Sequence, residues 1–240
     1  MDNFLSGPGI FTPDGRLSQL EFAMESVGNS NNLIAIKAKN GFVIGTEIKN
    51  ETEIEDERKY PRNIFLIDKH IIIGVSGSIP DSQILVDYAR TQAQQYKFLY
   101  QDDIPVNEIV GEISKIKQQF SQSRVSRPMG CSLIIAGWDK YSGLQLIRTD
   151  PSGTFSGWKA LSIGSNSMTN QIILDNFYNS ETNIQNSIGL LIRIIKKKIL
   201  YINSSKLFDI HTFIFDHERN ILIHRLSKKE LNTLMGIFKN

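Results

Sequence analysis

Three of the four histidines lie near the C-terminal end of the sequence, where their imidazole groups could bind a metal ion. His211 and His217 have the spacing of two residues on one face of a β-strand, and His224 lies across a hairpin from them. The set of residues that usually binds zinc is incomplete here, because no cysteine lies nearby and the acids Asp216 and Glu218 are in the predicted turn. We therefore interpret these histidines as ordinary polar residues and predict no metal site.

Two other patterns are typical of sites for phosphate or nucleic acid. Arg193 and the lysines at 196–198 form a basic run, but the isoleucines around them predict a buried helix face. We interpret the run as the solvated face of that helix, with nuclear import or nucleic-acid binding as the alternative. The glycine-containing segment 74–78 is not followed by Gly-Lys-Ser/Thr and so lacks the signature of a phosphate-binding loop.

The composition is that of an ordinary globular protein, with 240 residues, 40% of them hydrophobic and 22% charged. A net charge of +2 is too small to indicate nucleic acid or an anionic membrane as a partner. The single cysteine, Cys131, lies in an apolar run, which predicts a buried, reduced thiol. The N-terminal residues lack the pattern of a secretory signal, and no apolar run is long enough to span a bilayer. These features predict a reducing compartment, which is the cytosol, the nucleus or both, and we expect the protein in the cytoplasm and nucleus.

The hydrophobic period changes along the chain between that of strands and that of helices. The predicted elements are, in order, a hairpin at 33–39 and 42–48 around Asn40-Gly41, a strand pair at 63–67 and 70–75, helices at 81–100 and 106–120, extended stretches at 131–138, 144–149 and 154–163, helices at 168–177 and 184–199, a hairpin at 209–215 and 220–226, and a closing helix after a Ser227/Glu230 capping box. This order predicts stacked layers rather than alternating βαβ units.

The segment before the first strand combines a turn with an amphipathic helix. Thr12-Pro13-Asp14-Gly15 has the residues of a tight turn. Leu17, Leu20 and Met24 then recur at helical spacing, which predicts a helix over residues 17–28.

This segment resembles the N-terminal signature of proteasome alpha-type subunits. The matching residues are Phe11, Pro13, Asp14, Gly15, Arg16, Leu17, Gln19, Glu21 and Ala23. Similar segments follow in the family's order, among them Arg127-Pro128-Met129-Gly130, Gly137-Trp138-Asp139-Lys140 and Gly157-Trp158-Lys159-Ala160. The resemblance extends over nearly the whole chain, and among the alpha types it is greatest to the one at the third ring position.

The resemblance implies an α+β fold, a four-layer αββα sandwich of the N-terminal-nucleophile hydrolase type. It implies one domain over residues 1–240, with a gate tail and turn at 1–16 and the helix at 17–28. The expected function is that of a non-catalytic structural subunit of the outer ring of the 20S proteasome, active in ring assembly, substrate gating and activator docking in ubiquitin-dependent protein degradation.

The partners that the resemblance implies are all proteins. They are six other alpha-type subunits, the beta-type subunits of the inner ring, the ATPase tails of the regulatory particle or other activators, and assembly chaperones. No cofactor, membrane or nucleic acid is expected.

Catalysis by this fold depends on residues that the chain lacks. Active beta-type relatives use an N-terminal threonine, whose own amine acts as the base, together with an acid and a lysine. The matching positions here are Asn31, Glu47 and Asn63, and an asparagine has neither an activatable hydroxyl nor a charge. The resemblance therefore implies no catalytic residue, and Glu47 is interpreted as a structural or solvated acid.

The resemblance also implies a gate cluster and a ring interface. The gate positions are Phe4, Leu5, Pro13 and Phe22, and here the tyrosines and the aspartate of the family are absent. We therefore expect this N-terminus to contribute little to an ordered open gate. The expected ring-interface residues are Leu17, Leu20 and Met24.

The implied activator pocket is lined by Arg62, Asn63, Gly77 and Ser78. Asn63 replaces the family's lysine, which pairs with the C-terminal carboxylate of an activator tail, so we expect weak binding of tails. Arg62 is the adjacent residue and could replace the lysine, which is the alternative. Because neighbouring residues of a strand point to opposite faces, Arg62 would have to reach the pocket from the other side.

Two functions of other classes also fit parts of the sequence. An active hydrolase of the same fold would need a free N-terminal threonine, and the sequence offers none in the right place. A stand-alone module that binds RNA or protein would stay monomeric and would bind nucleic acid with a steep salt dependence.

Overall fold

The computed structural model describes residues 8–47, 63–199, 208–215 and 221–237. The helices are α1 (Ser18–Gly28), α2 (Ile79–Tyr100), α3 (Val106–Gln122), α4 (Ser167–Phe177), α5 (Ile184–Ile199) and α6 (Lys228–Ile237). The strands are β1 (Leu33–Ala38), β2 (Gly41–Glu47), β3 (Ile64–Asp68), β4 (Ile71–Gly77), β5 (Cys131–Asp139), β6 (Gly143–Thr149), β7 (Phe155–Gly157), β8 (Ala160–Ile163), β9 (Phe208–Phe215) and β10 (Ile221–Arg225).

The chain forms two compact units that alternate along the sequence. Unit 1 consists of Met1–Ser30 and Asn63–Trp158, and unit 2 consists of Asn31–Arg62 and Lys159–Asn240. Each unit is therefore built from two separate stretches of chain. The single domain over residues 1–240 stays a prediction.

Unit 1 contains an antiparallel sheet of five strands in the order β3-β4-β5-β6-β7. Helices α2 and α3 pack on this sheet, because their apolar stripes must be buried. Leu85 of α2 and Ile109 of α3 belong to the same buried cluster as Ile73 of β4 and Leu133 of β5. Cys131 is fully buried in this cluster, which confirms the predicted buried thiol, and burial raises its pKa.

Helix α3 also buries a lysine that the sequence analysis did not identify. The Lys117 ammonium donates hydrogen bonds to the Thr149 hydroxyl at 2.6 Å and to the Cys131 carbonyl at 3.1 Å. Burial lowers the pKa of Lys117 to about 8, since a buried charge loses its hydration. The lysine therefore joins α3 to β5 and β6 by polar contacts inside an otherwise apolar core.

Unit 2 contains a second antiparallel sheet of five strands, in the order β10-β9-β2-β1-β8. Its buried cluster joins Ile36 of β1 and Val43 of β2 to Leu191 and Ile195 of α5. Ile194 and Ile195 are buried while Arg193 is exposed and lies over the Phe177 ring at 3.8 Å. This agrees with the interpretation of the basic run as the solvated side of an amphipathic helix at Arg193. The side chains of the lysines at 196–198 lie outside the described part of the chain, so the interpretation stays a prediction for them.

The first hairpin turns one residue earlier than the Asn-Gly pattern predicts. Ala38 pairs with Gly41, so the two turn residues are Lys39 and Asn40. Gly41 instead lies within β2, where a Cβ atom would come within 1.9 Å of the Phe213 carbonyl oxygen. The glycine is therefore required for the close approach of β9 rather than for the turn.

The extended stretch predicted at 154–163 is in fact two strands that belong to different sheets. β7 pairs with β6 in unit 1, and β8 pairs with β1 in unit 2. The sequence pattern over 154–163 is continuously extended, so it does not indicate that its two halves pair with different strands.

The three-histidine arrangement of the sequence analysis does not form among the described residues. His224 pairs with Thr212, so His224 and His211 lie on opposite faces of the sheet. Each is instead beside an acid: His211 Nε2 lies 3.1 Å from Asp209, and His224 Nε2 lies 3.4 Å from Glu230. Asp216, His217 and Glu218 lie outside the described residues.

The remaining helix predictions are confirmed within a few residues of their ends. At the start of α6, the Ser227 N–H donates to Glu230 Oε2 at 2.7 Å and the Glu230 N–H donates to Ser227 Oγ at 3.3 Å, which is the predicted capping box. None of the helices within the described residues has the length and apolar character needed to cross a bilayer.

Candidate functional site

The N-terminal turn forms as the sequence predicts. The Gly15 N–H donates to the Thr12 carbonyl at 2.9 Å, and Gly15 has a φ of 76°, which favours glycine. The Thr12 N–H donates to the Arg16 carbonyl at 2.8 Å, and the Arg16 N–H returns a bond to the Thr12 hydroxyl at 3.1 Å. These bonds fix the direction in which the chain enters α1.

Helix α1 packs against β4 and β5 of unit 1 through small side chains. Ala23 and Val27 are buried, Leu17 and Leu20 are half-buried, and Met24 is exposed. The side of α1 that is buried within the chain is therefore centred on Ala23 and Val27, and Met24 lies at its solvent-facing edge. The predicted role of Leu17, Leu20 and Met24 as ring-interface residues is not tested by this packing.

The C-terminal end of α1 is anchored beside the junction of β4 and α2. The Ser30 hydroxyl donates to the Val27 carbonyl at 2.7 Å and lies 2.6 Å from the Ser76 hydroxyl. Ser76 directly precedes Gly77 and Ser78, two of the predicted pocket residues. The helix and this part of the predicted pocket therefore lie at the same end of the unit 1 sheet.

The junction itself depends on a glycine. Gly77 has a φ of 115°, and a Cβ atom there would lie 2.2 Å from the Gly130 carbonyl oxygen. The same carbonyl accepts the Ser78 N–H at 2.8 Å. The loop at Gly77-Ser78 is therefore held directly against the loop that precedes β5.

Asn63 lies at the same end of the β3–β4 pair. It is buried, and its carbonyl accepts the Val75 N–H at 2.8 Å. Val75 is two residues before Gly77, so three of the four predicted pocket residues lie near one another. The fourth, Arg62, lies outside the described residues.

Comparison with known proteins shows the family to which the chain belongs. Residues 27–211 match the family described as proteasome subunit. The chain belongs to the proteasome subunit family. Proteasome subunit alpha type-4-A of Arabidopsis thaliana is 38% identical over 188 residues, which are 78% of this chain and 75% of the relative. Proteasome subunit alpha type-4 of Dictyostelium discoideum is 35% identical over 230 residues, which are 94% of this chain and 91% of the relative.

Membership in the proteasome subunit family confirms the predicted fold class, the α+β fold of N-terminal-nucleophile hydrolases. With its alpha-type relatives, it also establishes the predicted role of the chain, that of a non-catalytic structural subunit of the outer ring of the 20S proteasome. The chain assembles there with other proteasome subunits.

The positions that match the catalytic residues of active proteasome subunits lie at the ends of strands. Asn31 comes two residues before β1, Glu47 is the last residue of β2, and Asn63 comes directly before β3. Neither asparagine side chain carries a nucleophilic hydroxyl or an amine.

The proteasome gate positions are only partly within the described residues. Pro13 and Phe22 are exposed, Phe22 by 57% of its surface, while Phe4 and Leu5 lie outside the described residues. Their roles as gate residues, and those of the ring-interface and pocket residues, stay predictions.

The ion pair between Arg127 and Asp81 lies at this junction and is not predicted from the sequence. Arg127 is the first residue of one of the segments that resemble those of proteasome subunits. Arg127 donates two parallel hydrogen bonds to the Asp81 carboxylate, at 2.7 and 2.8 Å, and the Gly130 N–H donates a third at 3.0 Å. The Arg127 bonds hold the pKa of Asp81 below its usual value. Asp81 thereby joins the first turn of α2 to the loop that contacts Gly77.

We expect Asp81→Asn to reduce the free energy of unfolding by about 1.5 kcal/mol, because a charge-assisted bond contributes ~1.5–3 kcal/mol and Arg127 is partly exposed to water. A depressed carboxyl pKa stabilises the fold above the unfolded pKa, and this contribution is lost as pH falls through the folded pKa. Urea unfolding at pH 7 measures the change. Asp87→Asn is the matched control, since Asp87 pairs with Arg90 at the surface of the same helix, and a shift as large as that of Asp81→Asn would contradict the assignment.

Proposed function

We propose that the chain occupies the third position of the alpha ring, between two other alpha-type subunits, and that α1 contacts a neighbour. Apolar side chains that are exposed on α1 and on the loop before it support the contact with a neighbour, and the alpha type-4 relatives support the ring position. Phe11 is 65% exposed and Met24 is 40% exposed, while Leu20 is half-buried. Leu20 and Met24 are four residues apart and so are neighbours on the helix surface, and exposed apolar side chains that are neighbours are typical of an interface.

The single cysteine makes this contact measurable. Cys131 is buried, so in Met24→Cys the introduced thiol is the only one expected to react quickly with a maleimide. We expect fast labelling of the isolated chain and at least tenfold slower labelling in the assembled particle, because the interface covers position 24. Intact-protein mass spectrometry measures both rates.

The matched control is Glu25→Cys. Glu25 is exposed one residue further along the same helix, about 100° around its axis and on the side away from Ala23 and Val27. Labelling at position 25 should be slowed far less by assembly. Equal rates at position 24 in the free and assembled chain would show that this edge of α1 is not an interface.

We further propose that the pocket formed by Asn63 and the Gly77-Ser78 loop binds the tails of ATPases or other activators weakly, and that this N-terminus contributes little to the open gate. Asn63 is buried and uncharged where a lysine would pair with the tail carboxylate. A neutral hydrogen bond contributes ~0.5–1.5 kcal/mol against ~1.5–3 kcal/mol for a charge-assisted one.

Restoring the cation should strengthen the pocket. In the assembled particle, Asn63→Lys is expected to tighten binding of a fluorescent activator-tail peptide at this pocket about tenfold, if ~1.4 kcal/mol is recovered. The same peptide with a C-terminal amide is the control, because it cannot form the ion pair and should gain nothing. Wild-type binding as tight as at lysine-bearing pockets, and lost in Arg62→Ala, would show that Arg62 has taken the role.

The remaining partners and the compartment belong to the same proposal. The beta-type inner ring and assembly chaperones would contact the chain within this assembly, in the cytoplasm and nucleus. A chain with a single, buried cysteine is suited to a reducing compartment, and a net charge of +2 gives little attraction for nucleic acid.

A further inference from the structure

A histidine and two aspartates from separate parts of unit 1 meet at the end of β3. Asp68 is the last residue of β3, His70 directly precedes β4, and Asp103 lies in the loop between α2 and α3. One ring nitrogen of His70 and one carboxylate oxygen of each aspartate lie within 4.8 Å of one another. Three potential metal ligands therefore converge from two loops that are 33 residues or more apart in sequence.

The tautomer of His70 is fixed by a backbone contact. His70 is only 4% exposed, and its Nε2 lies 2.7 Å from the Ile104 carbonyl oxygen. A carbonyl can only accept, so Nε2 carries the proton and Nδ1 of the neutral ring presents a lone pair. A metal-binding histidine commonly donates its other ring N–H to a backbone carbonyl in this way.

Two buried atoms of this cluster have no hydrogen-bond partner within the part of the chain that the structure describes. Among the described residues, His70 Nδ1 and Asp68 Oδ2 are inaccessible to solvent and make no hydrogen bond. The other oxygen of Asp68 accepts the Lys69 N–H at 2.7 Å, which orients the carboxylate. Buried polar groups in native proteins are almost always satisfied, so an acceptor on the histidine and another on the aspartate call for a cation or a donor between them.

The third ligand is shared with two lysines. Lys69 Nζ lies 2.8 Å from Asp103 Oδ2, and Lys97 Nζ lies 3.5 Å from Asp103 Oδ1. Both lysine side chains are about half exposed and can turn toward water. A carboxylate has about four lone-pair positions, so Asp103 can accept a lysine and an ion together, although the lysines weaken its attraction for a cation.

We propose that Asp68, His70 and Asp103 form a binding site for a divalent transition-metal ion such as Zn²⁺. An imidazole with two carboxylates suits these ions, whereas Mg²⁺ and Ca²⁺ select oxygen ligands. Tetrahedral ligands at ~2.1 Å from zinc lie about 3.4 Å apart, so side-chain rotations must bring the three atoms up to about 1.4 Å closer, and the fourth ligand position is left to water. The bound ion joins the β3–β4 turn to the loop between α2 and α3.

The test measures Zn²⁺ binding to the full-length chain by competition with a chromogenic chelator. We expect one tight equivalent in the wild type. His70→Gln should weaken this binding at least tenfold, because glutamine keeps a donor for the Ile104 carbonyl but lacks the second ring nitrogen. Asp68→Asn should weaken it to a similar extent, because it removes the charge and preserves the shape.

Two further variants separate a metal site from a network of ion pairs. Asp102→Asn is the matched control, since Asp102 is the neighbouring acid in the same loop and pairs with Lys140; binding should change less than twofold. Lys69→Met should tighten binding several-fold, because it frees an oxygen of Asp103. Wild-type affinity in both His70→Gln and Asp68→Asn, or no Zn²⁺ binding by the wild type, would overturn the proposal.

A measurement on the wild type alone covers the possibility that a variant fails to fold. X-ray absorption of the chain loaded with one equivalent of Zn²⁺ should show nitrogen and oxygen ligands with a single imidazole. A first shell with no imidazole, with two or more, or with sulfur would place the ion elsewhere and contradict the assignment.

Discussion

Leu20→Asp is expected to reduce incorporation of the chain into the 20S particle at least tenfold. Leu20 lies between the buried face of α1 and its exposed apolar edge. Burial of a large apolar side chain contributes roughly 1.5–3 kcal/mol, and an unpaired charge in the same contact adds a desolvation cost. Because ~1.4 kcal/mol corresponds to a tenfold change in an equilibrium constant, the two costs together should reduce incorporation by more than a factor of ten.

A control with the same charge separates the interface from the helix. Ser18→Asp adds an aspartate in the first turn of α1, on the side away from the buried face, where the helix dipole favours a negative charge. Co-purification through a tag on another alpha subunit, with soluble expression of each variant as reference, measures incorporation. Normal assembly of Leu20→Asp would show that α1 makes no contact with a neighbour through this side chain.

Gly77→Ala is expected to lower the free energy of unfolding by about 3–4 kcal/mol. Its φ of 115° is strained for any residue with a side chain, and a Cβ atom would lie 2.2 Å from the Gly130 carbonyl oxygen and 2.8 Å from the Cys131 Cα. The Gly130 and Cys131 atoms that the Cβ would meet are all backbone atoms, so the clash cannot be relieved by moving a side chain. The Ser78 N–H bond to Gly130 would be displaced together with the junction.

Gly111→Ala is the matched control for this prediction. Gly111 lies inside α3 with nothing within 4 Å of an added Cβ atom, so alanine there should stabilise the helix by about 0.5–1 kcal/mol. Urea unfolding of the full-length chain measures both variants. A loss below ~1 kcal/mol in Gly77→Ala would mean that the loop relaxes freely and that the junction is not held by this glycine.

Periodicity predicted the elements well wherever one face of an element is buried and the other is solvated. Helix α3 is the clearest example, since Val106, Ile109, Val110 and Ile113 recur at helical spacing and are all fully buried. The turn of the first hairpin is predicted less well, because Asn40-Gly41 is typical of a turn whereas Gly41 lies in β2 and lets β9 approach. Local chemistry cannot distinguish these two uses of a glycine.

The parts of the site that sequence reasoning missed depend on contacts between distant residues. Asp81 and Arg127 are 46 residues apart, and nothing in either segment indicates the other. His70 was passed over in favour of the three C-terminal histidines, because its acidic neighbour Asp103 arrives from the loop between two helices. Lys117 was missed because its polar partners lie on strands that follow later in the chain. In each pair, the tertiary fold supplies the partner.

Native mass spectrometry of the complex purified through a tag on this chain tests whether the chain is a non-catalytic subunit of the alpha ring. We expect one copy of the chain per ring, together with six different alpha-type subunits and beta-type subunits. A threonine-directed covalent inhibitor should label beta-type subunits and leave this chain unmodified, since Asn31 replaces the nucleophile. Recovery of the chain as a monomer, or stoichiometric labelling of the chain itself, would show that the chain is not such a subunit.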